Sequence, residues 1–106
     1  MKSKPVSALE VVVDDLVAAA AHYQSWRADG AEHLFGKYDE TVRWIAWNPD
    51  LFPRVFGRAQ RAILKDSYYL VYFLQEPDRS LVLAVLDGRR SPRILRSIVA
   101  ARSGRS

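Results

Sequence analysis

Cysteine is absent from the chain, which excludes both a disulfide framework and a thiolate metal site. Histidine is scarce: His22 and His33 fall on different predicted helices, and neither belongs to a zinc-binding His and Glu helix motif. No metal and no cofactor are therefore expected. Glycine is sparse and nowhere arranged as a phosphate-binding loop. Ser67, Ser91 and Ser97 have no histidine close in sequence to activate them as nucleophiles. Long apolar runs are missing too. The longest is broken by Asp14 and Asp15 and followed by His22 and Gln24, so it is not a membrane span. Met1 to Lys4 leads into Pro5 rather than an apolar signal core, so a cytoplasmic protein is expected.

What is present is enough for one core. A chain of 106 residues with 49% hydrophobic and 26% charged residues reads as a single globular domain over residues 1–106. The net charge of +4 hides a gradient: from Asp87 to the end there are six arginines, and Asp87 is the single acidic residue. Such a field attracts phosphates or an acidic partner, although a basic stretch also serves plain solubility.

The apolar pattern changes period along the chain. Pro5 to Ala8 reads as a short edge strand, where a missing amide donor is tolerated. Leu9, Val13, Leu16, Ala20 and Tyr23 then recur at helical spacing, with Val12, Val17 and Ala19 widening the stripe, and predict a helix from Glu10 to Arg27 that Gly30 terminates. Asp14 and Asp15 suit the positive end of its dipole and Arg27 the negative end. A second helix is predicted over Ala31 to Ala46, with Leu34, Phe35, Tyr38, Val42 and Ile45 inward and Pro49 as its stop. So short a connection makes the two helices antiparallel. Tyr23, Trp26, Trp44 and Trp47 at helical spacing read as core or core edge rather than as a platform for bases. Asn48 to Arg58 reads as a loop folded onto the body.

Arg61 to Leu64, Tyr68 to Leu74 and Leu81 to Leu86 are short apolar runs separated by turn clusters, which predicts an antiparallel meander. In the middle run both alternating sets are apolar, so both faces of the sheet need cover. One helical hairpin covers one face; the other falls to Pro92 to Arg102, with Ile94, Leu95, Ile98 and Val99 at helical spacing, or to another chain. The fold class is α+β: an N-terminal short strand, an antiparallel helical hairpin packed on a three- to four-stranded antiparallel sheet, and a short C-terminal helix.

The stretch from Arg58 and Arg61 through Tyr69 and Tyr72 to Val82-Leu83-Ala84-Val85-Leu86-Asp87-Gly88-Arg89-Arg90-Ser91-Pro92 resembles the ParE/RelE toxins of bacterial toxin–antitoxin pairs, which include plasmid stabilisation proteins. Asn48-Pro49-Asp50-Leu51-Phe52-Pro53 and Asp15-Leu16 extend the resemblance over nearly the whole chain. It implies a toxin of a type II module, covered by a cognate antitoxin. In the ParE branch the target is DNA gyrase, inhibited by binding. Arg61, Asp87, Arg89, Arg90, Arg93 and Arg96 are then the expected target or antitoxin contacts. In the RelE branch the activity is ribosome-dependent cleavage of mRNA without metal, and the matching residues are Arg61, Lys65, Tyr69 and Arg90. That chemistry needs a proton acceptor, a proton donor and cations for the phosphorane. Asp87 stands where many relatives carry histidine; an exposed aspartate is ionised at neutral pH, so it is a poor general acid and repels phosphate, and the roles left to it are a base or a partner for Arg90. Binding is thus favoured over catalysis, with a decayed, non-toxic member as a third reading. Exposed sheet edges leave room for a homodimer.

Overall fold

The computed structural model describes residues 3–104. Five strands form one mixed sheet in the order β1-β5-β4-β3-β2. They are β1 (Val6–Ala8), β2 (Arg54–Phe56), β3 (Ala59–Ile63), β4 (Tyr69–Gln75) and β5 (Ser80–Asp87). The helices are α1 (Val11–Gln24), α2 (Gly30–Trp47) and α3 (Pro92–Ser103). The architecture is the expected α+β arrangement, with five strands where three or four were expected. β1 is the predicted edge strand, and it runs parallel to β5, pairing Val6 with Ser80 and Ala8 with Val82. The added strand is β2, within the segment read as a loop. A short 3-10 turn, Pro49–Leu51, precedes it, and the Asn48 side chain caps that turn by accepting from the Asp50 amide. Gly57, at φ 58°, makes the tight reversal from β2 into β3, a backbone region glycine enters without a Cβ penalty.

Gly30 plays a different part from the one its sequence position predicts. It is the first residue of α2, and a Cβ there would lie 2.4 Å from the Tyr23 carbonyl oxygen. It lets the start of α2 touch the last turn of α1, so close approach is what requires glycine. α1 itself is shorter than predicted, ending at Gln24, and Arg27 leaves the helix to pair with Asp29.

The two faces of the sheet carry separate cores. Tyr69, Val71, Phe73, Ala62, Leu64, Val82 and Val85 face the α1–α2 hairpin and pack with Val12, Ala19, Ala20, Tyr23, Leu34 and Ile45. Tyr72, Leu74, Leu81, Leu83, Ala84 and Leu86 face the other way and are covered by Leu95 and Val99 of α3, with Phe56 of β2 stacked on Tyr72. The chain covers this second apolar core itself, as one of the two alternatives required. Val13, Val17, Phe35 and Ile94, expected inward, are exposed, and Trp26, Trp44 and Trp47, expected in the core or at its edge, lie on its outer side with about half of their surface in solvent. On α1 the inward stripe follows Val12, Ala19, Ala20 and Tyr23, rotating Val13 and Val17 to solvent.

β4 and β5 are the centre, and β5 carries a bulge: Tyr72 faces Ala84 while Phe73 faces Val82, leaving Leu83 as the extra residue. β1 no longer flanks β5 beyond Val82. Two side chains close the exposed edge there. Asp15 of α1 accepts from the Val85 amide at 2.9 Å, and Arg102 of α3 donates to the Leu83 carbonyl at 3.1 Å. The two also pair with each other at 2.5 Å. This pair joins the helices on opposite faces around the edge of the sheet.

Candidate functional site

β4 begins and β5 ends at the same margin of the sheet, because Tyr69 and Asp87 are register partners. That pairing brings the first residues of β4 and the chain after β5 against the last turn of α1. Asp87 is fixed by the residue two places on: Arg89 donates from Nε at 3.1 Å, from Nη2 at 2.9 Å, and from its own backbone amide at 2.9 Å. Asp87 therefore pairs with Arg89, where Arg90 was the partner considered. These hydrogen bonds hold the Asp87 carboxyl below the usual carboxylate range, with the charges of Arg89 and His22 adding to them. It stays ionised at neutral pH and is no proton donor.

Arg89 also spreads over Tyr68, its guanidinium carbon 4.4 Å from the ring centroid, and its Nη2 lies 3.4 Å from His22 Nε2. His22 in turn packs on Trp26, with ring centroids 4.9 Å apart. Below them Tyr23 and Tyr69 meet at 5.8 Å, and the Tyr23 hydroxyl accepts from the Tyr68 amide at 3.3 Å. Burial, and then the charge of Asp87, push the Tyr69 phenol up, so it is a neutral hydroxyl. No protein-family model matches this chain, and no curated protein matches its sequence.

The expected site residues divide into groups. Asp87, Arg89 and Tyr69 gather at this margin on the hairpin side. Arg61 is opposite Tyr72 in register and therefore on the α3 side of the sheet. Burial pushes the Tyr72 phenol up, with Arg61 opposing. Lys65 lies in the turn after β3 and borders a cavity beneath α2 with Lys37, Trp44 and Ile63. The four residues of the RelE-type set are thus not assembled around one point: Arg61 and Tyr69 belong to opposite faces, and Lys65 borders the cavity beneath α2. Gln60 has a structural task, donating from its buried amide to the Pro49 and Phe52 carbonyls at 2.8 and 2.9 Å.

Arg90, Arg93 and Arg96 are all exposed on the connection into α3 and on its first turns. Among the described residues none of the three forms an ion pair. Arg96 lies over the Phe56 ring at 5.3 Å. α3 starts in regular fashion, with Pro92 in its first turn and the Ser91 side chain accepting from the Ile94 amide. No acidic residue occupies that turn; Arg93 does, where the helix dipole disfavours a cation. His22, Trp26 and Tyr68 were not singled out as site residues from the sequence. His22 and Trp26 are four residues apart on one helix, a spacing that places them side by side, but nothing local ties them to Arg89.

Proposed function

We propose that the chain is the toxin component of a type II toxin–antitoxin module, similar to the ParE branch, and acts in the cytoplasm by binding DNA gyrase. The observation that carries this reading is the run of exposed arginines from Arg89 to Arg96. Three of the four lack an ion-pair partner among the described residues, and one stands against a helix dipole. Uncompensated charge of one sign is what a binding surface for an acidic partner or target requires. The hairpin-on-sheet architecture agrees with the same family. An acidic, partly disordered antitoxin segment would neutralise the arginines on binding. The mRNA endonuclease reading is less well supported, because its residues are spread over two faces and Asp87 is held as an anion.

The test is induction of the protein alone in a bacterial host, with Arg89→Ala/Arg90→Ala as the comparison. Growth arrest with filamentation and DNA-damage signalling, lost in the double variant, is the expected result. Arrest with immediate loss of translation and cut mRNA would replace gyrase binding with the nuclease. Verified soluble expression without arrest would leave a non-toxic family member as the better description.

A further inference from the structure

The tryptophan expected at the core edge on α1 is in solvent. Trp26 is 59% exposed and Tyr68 is 52% exposed, and both line one cavity of about 480 Å³ between the end of α1 and the turn before β4. Tyr23, Arg27, Asp66 and Ser67 complete the lining. Each exposed ring is braced by one polar neighbour, Trp26 by His22 and Tyr68 by Arg89, and each keeps most of its surface free. An open cavity with two large aromatic rings and a polar rim, in which Asp66 is drawn to Lys37 at 4.0 Å and Arg27 is paired with Asp29, suits a flat, polar, aromatic ligand better than an aliphatic one. The neighbouring charge adds an anionic group to that ligand. Arg89 commits Nε and Nη2 to Asp87, which leaves Nη1 available, and Arg90 beside it is exposed and has no ion pair among the described residues.

We propose that this cavity binds a base of single-stranded nucleic acid, stacked on Trp26 and Tyr68, with the attached phosphate held by Arg89 and Arg90. A duplex keeps its bases stacked on one another, so the ligand is a single strand or a frayed end. Stacking uses the face that every base has, so little sequence preference is expected. The inference stands on the cavity and does not depend on the toxin reading. Trp44 and Trp47 on α2 supply an internal comparison: they are similarly exposed and line a separate cavity of about 440 Å³ with Glu40 and Arg43, but that cavity is away from Arg89 and Arg90 and the two rings pack on each other edge to face at 5.6 Å.

The experiment is fluorescence anisotropy of short labelled thymidine and uridine strands, and of an abasic strand of equal length, titrated with the full chain. Trp26→Ala and Tyr68→Ala should each weaken binding roughly 5- to 150-fold, the range for losing one stacked base. Trp26→Phe should retain most of the affinity, which separates stacking from a folding defect, and Trp47→Ala should bind as the parent does. The abasic strand should bind more weakly by a similar factor. Tighter binding of the thymidine or of the uridine strand assigns the ligand to DNA or RNA, and either supports the site. An abasic strand bound as tightly as the thymidine strand, an unaffected Trp26→Ala, or no binding of any strand would overturn it. Growth arrest in the induction test reads a different property, so either result can fail alone.

Discussion

Two aspartate–arginine pairs sit along the same strand, and they differ in what surrounds them. At the bulge of β5, Asp15 and Arg102 are 11% and 15% exposed and come from helices far apart in sequence. At the end of β5, Asp87 and Arg89 are 22% and 47% exposed and are two residues apart. The first pair also holds two backbone groups of the sheet edge, the Val85 amide and the Leu83 carbonyl. The second holds one amide of its own turn and leaves part of its arginine facing solvent. Identical chemistry thus serves closure in one place and display in the other. The difference is set by whether the pair replaces water at buried backbone groups or remains within reach of water.

The largest effect expected from this contrast is on stability. Asp15→Ala leaves the Val85 amide without its acceptor and the Arg102 guanidinium without its counterion, and it should destabilise the fold by about 3 kcal/mol in urea or thermal unfolding. Arg102→Ala should cost somewhat less, about 2 kcal/mol, because the Asp15 carboxylate it leaves without a counterion still accepts from the Val85 amide, while the Leu83 carbonyl loses the guanidinium donor. The double variant should cost far less than the sum, since each side chain is the other's partner. Additive losses would mean that the pair is not coupled and that edge closure has another source. The same cycle also tests attachment of α3: loss of Arg102 frees the end of the helix that covers the Tyr72 and Leu83 core.

The elements most legible in the sequence were those with a strong local period. The runs around Tyr72 and Val85 have the β pattern, and Leu95 and Val99 have the helical spacing that α3 uses to cover them. β2 is not legible in the sequence because Val55 and Phe56 are a short apolar pair bounded by proline and glycine, a signal that a folded loop shares. From the sequence Asp15 reads as a helix-dipole residue, because the sequence shows its place on α1 and not the unpaired edge of β5 beside it. The site divides along the same line. Arg89 to Arg96 stand out as charge, whereas His22, Trp26 and Tyr68 join them only through the Tyr69–Asp87 register. The tryptophans stand at the wet side of the core edge for a related reason: helical spacing says which residues share a face, but the width of the core decides which edge of that face stays wet.

The smallest effect expected concerns Asp87, and its pH dependence separates the two pairs further. Arg89 depresses the Asp87 pKa in the folded chain relative to the usual value near 4. A depressed carboxylate adds stability at pH values above the unfolded pKa. That contribution falls away as pH drops through the lower, folded pKa, and it is gone once both states are protonated. Asp87→Asn should therefore melt only slightly below the parent at neutral pH, and the gap should close on acidification below about pH 4. Because the variant also releases Nε and Nη2 of Arg89, it should raise anion affinity at neutral pH while leaving the fold nearly unchanged. A thermal melting series of parent and variant from pH 7 to strong acid reads the first effect, and phosphate or oligonucleotide titration reads the second. A stability loss as large as that of Asp15→Ala, persisting into strong acid, would place Asp87 among the closing contacts instead. It would then remove the ground for treating the end of β5 as a display surface.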